Sequence, residues 1–465
     1  MIPAVIAAIS TPLGKGGVAI IRMSGKGSFL VAEKLFRPRS GRSILDYPRR
    51  TQIYGDILSG KDKIDDGMLT LFAEGSSYTG EESCEISCHG GILVTRTVLE
   101  AIFALGARPA KAGEFTERAF LNGKISLTEA EAIGNLLEAK SLEQIKLASS
   151  PARDRLNKEI SEMRGSLSSL LASIYARIDY PDEDLGDFTD DETVSELEKI
   201  KTRLDKLILT YRTGRAINEG ISAVIVGKPN VGKSTLYNLL AGEEAAIVTD
   251  IEGTTRDLIE RTLPLGRVTL RLTDTAGIRS ESDADAIERI GIERSRNRLY
   301  SSELIIAVFD LSRPFDEKDV ALTELIKESS APKICILNKS DSESADFGGY
   351  DILDTIGFEE IIKLSAKEGD DDGLAKLERA VDRLFTDERI SAGADAIVSS
   401  ARQHASLMAA KSFIDSAIES YRLGLPTDAA SSDIEMALGA IGELDGRSVS
   451  ETVVGEIFSK FCVGK

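Results

Sequence analysis

Residues 221–236 read ISAVIVGKPNVGKSTL: a short apolar run, then a glycine-rich turn, then the start of a helical pattern. The stretch from Gly227 to Ser234 matches GxxxxGKS in the strand–turn–helix context that a phosphate-binding P-loop requires. Glycines let backbone amides approach phosphate oxygens closely, and the N-terminus of the following helix faces the same anion. We therefore predict a nucleoside triphosphate site in which Lys233 reaches the β- and γ-phosphates and Ser234 ligates Mg²⁺.

Three further strings follow in the order expected of a GTPase. DTAG at 274–277 follows the strand-like run LPLGRVTLRLT, so Asp274 is predicted behind the Mg²⁺ shell, with the amide of Gly277 donating to the γ-phosphate. NKSD at 338–341 follows an apolar strand pattern, and the carboxylate of Asp341 suits the two N–H donors of guanine, which adenine does not offer. SAK at 365–367 completes the base-binding loop. The four strings predict a Ras-like GTPase domain over 217–385 and disfavour ATP.

Composition bounds the class of protein. The 465 residues suggest about three domains, and a composition of 42% hydrophobic and 29% charged residues is typical of a soluble globular protein. The sequence has no long apolar run and no basic leader, so we expect neither a membrane span nor a signal peptide. Four cysteines fit a reducing cytoplasm. With a net charge of −19, any contact with nucleic acid needs a local basic patch.

The flanking regions predict two other kinds of domain. Residues 1–120 alternate short apolar runs with Gly, Pro and Asp, which predicts a small α+β domain containing the strands VIAAIS, GGVAIIRMSG, RRTQIYGDIL, DGMLTLFAEG and SCEISCHGG. Residues 121–216 have helical spacing, with one helix beginning at Ser126 and one ending at Gly214. Helical spacing returns from ISAGADAIV onward, over 386–465. The predicted fold is therefore multidomain, α/β plus all-α, with the GTPase domain inserted into a helical bundle.

Several cysteine positions allow two interpretations. Cys84, Cys88 and His89 could suggest a metal, but the two cysteines alternate in phase with Ile86 on a strand, which favours a structural role. The end of the chain, CVGK, is a poor lipidation signal. Cys462 is either a reactive thiol or a small residue buried near the preceding phenylalanine.

The sequence lacks the water-orienting glutamine of Ras-like GTPases. The residue after DTAG is Ile278, which cannot orient water as the glutamine of Ras-like enzymes does. Asn230 in the P-loop either binds a monovalent cation beside the phosphates or shapes the loop, and the sequence leaves both open. AIVTDIEGTTRD at 246–257 is predicted to be the first switch region, with Thr255 as a candidate Mg²⁺ ligand and with loop carbonyls suited to a cation.

Nine strings together carry a family resemblance: GKGGVAIIR, YTGEES, HGG, GEFTERAFLNGK, GKPNVGKS, AIVTDIEGTTRD, DTAGIR, ERIGIER and the terminal FCVGK. Over nearly its full length the chain resembles the bacterial MnmE (TrmE) family of tRNA-modification GTPases. The resemblance implies a folate-binding and dimerising N-terminal domain and a potassium-activated GTPase. It also implies a homodimer that forms a heterotetramer with an FAD-dependent partner of the MnmG (GidA) type. Together they add a carboxymethylaminomethyl-type group to C5 of the wobble uridine, position 34, of certain tRNAs, with a 5-formyl-tetrahydrofolate-type donor.

The same resemblance assigns residues. The catalytic acid matches Glu288, in ERIGIER, although the segment 280–287 before it is longer than the family pattern. The potassium ligands match Asn230, Thr249, Ile251 and Thr254, and the Mg²⁺ ligands match Ser234 and Thr255. The folate site matches Arg22, Glu85, Lys124 and Lys465, with Cys462 as a possible reactive thiol; Val463 stands where the family usually has isoleucine. The predicted GTP-binding set is Asn230, Val231, Gly232, Lys233, Ser234, Thr235, Thr249, Asp250, Ile251, Glu252, Gly253, Thr254, Thr255, Asp274, Thr275, Ala276, Gly277, Asn338, Lys339, Asp341, Ser365, Ala366 and Lys367.

Two other function classes fit the sequence less well. An Era-like ribosome-assembly GTPase would share the same nucleotide strings but would need an RNA-binding domain with a basic stripe. A purely structural dimerisation scaffold is hard to reconcile with four intact nucleotide strings. A solvated surface loop adequately explains the basic residues of this region, Arg37, Arg39, Arg42, Arg49 and Arg50.

Overall fold

A computed structural model describes residues 4–180, 189–241, 261–272, 299–342 and 349–464. The chain divides into two compact units. The first joins Met1–Leu137 with Gly439–Lys465, and the second is Glu138–Leu438. Each unit contains its own β-sheet.

The first unit contains a seven-stranded sheet in the order β3-β4-β5-β6-β2-β1-β7. All neighbours are antiparallel except β1 and β7, which are parallel. The prediction found the five longer strands but missed β3 and β7, because two or three residues are too short to show alternation. The strands are β1 (Ile6–Ile9), β2 (Val18–Ser24), β3 (Phe36–Pro38), β4 (Gln52–Ser59), β5 (Asp62–Phe72), β6 (Ser83–His89) and β7 (Arg108–Pro109).

The second unit contains a six-stranded sheet in the order β13-β12-β11-β8-β10-β9, parallel except for the β9–β10 hairpin. In such a sheet the loops that follow the parallel strands meet at one edge, where α/β folds bind ligands. LPLGRVTLRLT was predicted as one strand, but it is the hairpin, because Gly266 adopts a left-handed turn conformation (φ 58°). The strands are β8 (Ile221–Val226), β9 (Arg261–Leu265), β10 (Val268–Leu272), β11 (Leu304–Asp310), β12 (Lys333–Asn338) and β13 (Glu360–Leu364).

Helices surround both sheets. The helix start predicted at Ser126 is confirmed by a capping box: its hydroxyl accepts the amide of Glu129 at 3.2 Å, and its own amide donates to the Glu129 carboxylate at 2.6 Å. The described helices are α1 (Ser28–Leu35), α2 (Ile92–Ala104), α3 (Glu114–Leu121), α4 (Leu127–Glu138), α5 (Leu142–Ala148), α6 (Ser150–Asp179), α7 (Asp190–Asn218), α8 (Lys233–Ala241), α9 (Glu317–Lys327), α10 (Asp371–Phe385), α11 (Ala401–Arg422), α12 (Thr427–Asp445) and α13 (Glu451–Ser459).

Two helix boundaries differ from the prediction. Helix α7 does not end at Gly214 but continues to Asn218. A Cβ at Gly214 would overlap the carbonyl oxygen of Val398, so this glycine serves close packing rather than helix termination. The helical pattern from ISAGADAIV is also wrong, because α11 begins only at Ala401, where Ser400 caps it. Ile397 and Val398 are buried in a non-helical segment that packs on α7.

The core of the second unit explains why its central strands read as continuous apolar runs. Every residue of β11 and β12 is buried. Both faces of a mostly parallel sheet are covered by other elements, so alternation disappears from the sequence. None of the helices within the described ranges combines the length and the hydropathy needed to cross a membrane.

Candidate functional site

The P-loop lies between β8 and α8, at the edge where the parallel strands end. Gly232 adopts φ 96°, and a Cβ at this position would overlap the side-chain nitrogen of Asn338. Only glycine therefore fits, because it tolerates a positive φ and brings its backbone close to a neighbour. The turn leads directly into the N-terminus of α8, and a helix N-terminus after a glycine-rich turn suits a phosphate group.

Asn338 joins three of the predicted nucleotide strings. Its side-chain nitrogen donates to the carbonyl of Val231 at 2.8 Å, and its side-chain oxygen accepts the amide of Ala366 at 3.0 Å. Since Asn338 is buried, these bonds are made away from competing water. One side chain thus fixes the P-loop, the NKSD string and the SAK string relative to one another.

The P-loop lysine is hydrogen-bonded to the first residues of its own loop. The ammonium of Lys233 donates to the carbonyls of Gly227 at 3.0 Å and Lys228 at 2.7 Å. Asn230 is exposed and adopts a left-handed backbone conformation with φ 65°, which asparagine tolerates better than most residues. This geometry fits the loop-shaping interpretation of Asn230, while its role as a cation ligand stays a prediction.

The predicted guanine-reading carboxylate is oriented by the loop beside it. Oδ1 of Asp341 accepts the hydroxyl of Ser365 at 2.6 Å, so the NKSD and SAK strings meet as predicted. This hydrogen bond lowers the pKa of Asp341. The carboxylate is therefore ionised near neutral pH, as acceptance of two guanine N–H donors requires.

Lys339 is positioned from a different strand. Its ammonium lies 2.7 Å from Oδ2 of Asp310, at the end of β11, and its backbone is left-handed with φ 63°. Partial burial would raise the pKa of Asp310, but hydrogen bonds from Lys339 and Ser312 outweigh it and lower that pKa. The ion pair ties the NKSD string to the loop after β11.

Sequence reasoning missed a network that supports the P-loop. Lys228, inside the P-loop, places its ammonium 3.1 Å from the buried Asp319, and it also bonds Asp316. Arg313 donates to the same Asp319 at 2.8 Å. The hydrogen bond from Lys228 lowers the pKa of Asp316 to about 2. These four side chains fasten the P-loop to the N-terminus of α9. We call the network of Lys228, Arg313, Asp316 and Asp319 the P-loop anchor.

Part of the P-loop anchor had a sequence signal. Asp316 and Asp319, three residues apart before an apolar helix, form a capping box at the start of α9. That pattern predicts a helix N-terminus. It does not reveal the contact with Lys228, because the partner lies 88 residues away in sequence.

The folate candidates lie in the first unit. Arg22 and Glu85 face each other across β2 and β6 and form an ion pair of 2.8 Å. The guanidinium of Arg22 also lies 5.8 Å from the ring centre of Tyr78. Lys124 donates to the carbonyl of Gly75 at 2.9 Å. The loop containing Gly75 and Tyr78 therefore contacts two of the folate candidates, Arg22 and Lys124.

The end of the chain returns to the same sheet. Val463 forms a β-bridge with Ala112, and the hydroxyl of Ser10 donates to the carbonyl of Gly464 at 3.1 Å. The last described residue is thus tied to the end of β1, whose Ala8 pairs with Arg22. Cys462 is exposed, which contradicts the alternative of a buried residue, while its role as a reactive thiol stays a prediction.

The other candidate thiols differ from Cys462. Cys84 and Cys88 are buried, and burial raises the pKa of the Cys88 thiol to about 11. His89 points outward, where its Nδ1 lies 2.8 Å from Asp65. Among the residues in the described ranges, no three potential metal-ligating side chains cluster together. The structural interpretation of the cysteines fits this arrangement.

Comparisons of the sequence with known proteins identify a family. The family description "GTP-binding protein TrmE N-terminus" matches residues 5–124, and "MnmE helical domain" matches residues 127–462. The tRNA modification GTPase MnmE of Thermotoga maritima is 40% identical over 461 residues, which is 99% of each chain. The protein of the same name from Clostridioides difficile is 37% identical over 460 residues and again covers 99% of each.

The chain belongs to the MnmE family. The predicted family resemblance and the multidomain α/β plus helical fold are therefore confirmed. As a member of the MnmE family the chain is a GTP hydrolase that acts in tRNA modification.

The Era-like alternative receives no comparable support. A crystal structure of Aquifex aeolicus Era bound to GDP and aluminium fluoride covers 42% of this chain and 66% of its own, with 22% identity and a TM-score of 0.27. A score this low carries no functional argument. Curated MnmE proteins, in contrast, align over nearly the whole chain.

Several residues that the MnmE resemblance assigns lie outside the described residues. They belong to the predicted first switch region, the DTAG string, the ERIGIER segment and the chain end. They are Thr249, Asp250, Ile251, Glu252, Gly253, Thr254, Thr255, Asp274, Thr275, Ala276, Gly277, Glu288 and Lys465.

Proposed function

We propose that this chain is a potassium-activated GTPase that works with an FAD-dependent partner of the MnmG type. Together they modify C5 of the wobble uridine, position 34, by a carboxymethylaminomethyl-type addition that uses a 5-formyl-tetrahydrofolate-type donor. The observation that carries the nucleotide part is the pair of hydrogen bonds from Asn338 to Val231 and Ala366, beside the hydrogen bond between Ser365 and Asp341. It preorganises guanine and phosphate loops in a chain of the MnmE family.

The nucleotide strings divide the binding of GTP among them. The wrapped P-loop amides and Lys233 hold the phosphates, while Asp341 accepts the N1 and N2 protons of guanine. Ser234 at the start of α8, together with Thr255, would hold Mg²⁺, and Asp274 would support that shell. Bound Mg²⁺ supplies positive charge that neutralises the phosphates during transfer.

Hydrolysis needs a water-orienting group that Ile278 cannot provide. We assign that role to Glu288, whose carboxylate would hold the attacking water in line with the γ-phosphate. Asn230, Thr249, Ile251 and Thr254 would hold K⁺, which supplies the charge that an arginine finger gives in other GTPases. The exposed side chain of Asn230 at the P-loop supports this assignment.

The first unit supports a folate role by its chemistry. The Arg22–Glu85 pair offers guanidinium donors and carboxylate acceptors beside the ring of Tyr78, a combination suited to a flat nitrogen heterocycle. Lys124 and Lys465 would add positive charge for the carboxylates of the glutamyl tail. Exposed Cys462 lies in the segment bonded to Ala112 and Gly113, so a reactive role is compatible with its position.

Assembly and location complete the proposal. We assign a homodimer through the N-terminal domain, a heterotetramer with the MnmG-type partner, tRNA as substrate, no membrane association and a cytoplasmic location. The domain division follows the same reasoning. It places an N-terminal folate-binding domain at 1–120, the helical domain at 121–216 and 386–465, and the GTPase domain at 217–385.

GTP turnover in K⁺ and Na⁺ buffers of equal ionic strength tests the mechanism. We expect faster hydrolysis in K⁺, and equal rates would remove the potassium assignment. Glu288→Ala should lower turnover by ~10² or more, the scale of one lost positioning or base group, while nucleotide affinity is retained. A variant that hydrolyses GTP at the unaltered rate would remove Glu288 from the mechanism.

A further inference from the structure

The charge of this chain is distributed very unevenly along the sequence. Residues 1–50 contain nine Lys or Arg and two Asp or Glu, a formal charge of +7, whereas the remaining residues carry −26. Five of the nine cations fall within residues 36–50, which we call the arginine segment. Their positions are Arg37, Arg39, Arg42, Arg49 and Arg50.

The fold presents the arginine segment at an outer edge. The segment begins with β3, the terminal strand of the seven-stranded sheet, and continues into the loop before β4. Arg37, Arg42 and Arg50 are exposed. In the part of the chain that the structure describes, no carboxylate oxygen lies within 4.0 Å of their charged nitrogens, so none of the three guanidinium groups makes an ion pair there.

Two arginines of the segment are held in place by neutral groups. Arg49 donates to the carbonyl of Tyr47 at 3.1 Å and stacks 5.0 Å above the ring centre of Phe29. Arg50 donates to the carbonyl of Ser76 at 2.8 Å. A carbonyl fixes the position of a guanidinium without cancelling its charge, and several N–H donors of each group remain available.

An exposed aromatic side chain borders the arginine segment. Tyr54, on neighbouring β4, is 47% exposed, and the guanidinium of Arg39 lies 5.7 Å from its ring centre. Arg39 is also the one member of the segment with a described ion pair, to Asp56 at 3.1 Å. Arginines beside an exposed aromatic ring combine phosphate binding with a surface on which a base can stack.

We propose that the arginine segment binds the phosphate backbone of the tRNA substrate. The proposal rests on the proposed function, because that function makes a tRNA the partner of this chain. A strongly acidic protein repels a polyanion at most of its surface, so a local cluster of exposed arginines, three of them without an ion pair, favours the approach of the tRNA. Arg37 and Arg42 contribute phosphate contacts that are independent of sequence, while Tyr54 and Arg39 offer the stacking surface.

The test is a salt titration of tRNA binding by the full chain. The probe is an unmodified tRNA transcript with uridine at position 34, and the variant combines Arg37→Gln with Arg42→Gln. Affinity falls as salt rises, and each lost phosphate contact makes the negative slope of log affinity against log salt shallower by about 0.7–0.9. We expect the magnitude of the slope to decrease by about 1.5 and the affinity at low salt to fall about tenfold or more.

A matched control removes the same number of charges elsewhere. Arg96→Gln with Arg389→Gln removes two exposed arginines, each of which has a carboxylate partner. This control should keep the unaltered slope, and thermal unfolding should show that both double variants fold. An equal slope for the Arg37/Arg42 variant and the unaltered chain would overturn the proposal.

Two further outcomes also overturn it. If the unaltered chain binds vesicles of equal parts phosphatidylcholine and phosphatidylserine but not the transcript, the segment recognises anionic lipid instead. If it binds neither, the segment is not a tRNA surface. Failure of the proposed function is distinguished separately, by whether the chain restores wobble-uridine modification in cells that lack it.

Discussion

At the scale of single residues, the nucleotide site depends on side chains that hold loops together. We predict that Asp341→Asn weakens guanine nucleotide binding about 10- to 150-fold, because hydrogen bonds to a charged group contribute about 1.5–3 kcal/mol. The variant should gain affinity for xanthine nucleotides, whose base offers an acceptor to the new amide. Titration with GDP and XDP measures both changes.

The control for Asp341 lies in the same unit. Asp354→Asn makes the same chemical change at an exposed position and should leave both affinities unaltered. Retained GDP preference in the Asp341 variant would show that guanine is read elsewhere.

The P-loop anchor gives a second prediction at this scale. Lys228→Met should weaken GDP and GTP binding by similar factors, because it frees the P-loop from Asp316 and Asp319 rather than removing a phosphate ligand. Lys228→Arg should restore much of the affinity. Lys228→Met and Asp319→Asn should be non-additive by about 0.5–3 kcal/mol in a double-mutant cycle.

A neighbouring lysine serves as the control for this cycle. Lys318→Met changes an exposed residue of the same helix, α9, and should not alter nucleotide affinity. Strict additivity of the Lys228 and Asp319 substitutions would contradict the P-loop anchor. So would a loss confined to GTP.

The sequence predicted much of this site because each string carries its own local signal. GKPNVGKS, NKSD and SAK each follow a strand, and the structure brings Val231, Asn338 and Ala366 together. It could not predict the P-loop anchor, since Lys228 and Asp319 are joined only by the tertiary fold. Arg22 and Glu85 show the same limit: their pairing depends on strand register, which the spacing of the two residues does not reveal.

At the scale of elements, close helix packing gives a test of stability. Gly214→Ala places a methyl group against the carbonyl of Val398 and should destabilise the second unit by about 1–3 kcal/mol, the usual cost of overpacking. Gly165→Ala is the matched control, since Gly165 lies in α6 with open space around it. It should stabilise by about 0.5–1 kcal/mol.

Urea unfolding of both variants measures this difference. Equal stabilities for the two glycine variants would contradict the packing account. The same position shows why the predicted end of α7 was wrong: glycine terminates many helices, but here it admits the backbone of a distant segment. Sequence spacing cannot distinguish these two uses.

A second element-scale prediction concerns acid stability in the first unit. Burial would raise the pKa of Glu114 in α3, but hydrogen bonds from Arg108, the amide of Lys111 and Arg118 lower it to about 2. A carboxylate with a depressed pKa stabilises the folded state above its unfolded value of 4.5, and this contribution is lost as the pH falls toward about 2.

Thermal unfolding between neutral and acid pH tests this linkage. The unaltered chain should be more stable than Glu114→Gln at pH 6, and the difference should shrink as the pH falls below 4.5. Glu100→Gln, at an exposed position, should show no such trend. A difference between the chain and Glu114→Gln that is constant with pH would contradict the assigned ion pairs.

At the scale of the whole molecule, family membership and the geometry of the nucleotide loops both indicate a GTPase. The GTPase fold supplies guanine recognition, while the first unit supplies the Arg22–Glu85 pair and the docked chain end. The sequence predicted the type of each region because their patterns differ. It could not predict that residues 439–465 form one compact unit with residues 1–137, because that association is made by contacts distant in sequence.

The central claim is that this chain binds guanine nucleotide in order to modify tRNA. Nucleoside analysis of bulk tRNA from cells that lack the protein tests it most directly, with complementation by the unaltered chain and by Asp341→Asn. We predict loss of the C5-modified wobble uridine, restoration by the unaltered chain and no restoration by the variant. An unchanged nucleoside profile in the cells that lack the protein would contradict the claim.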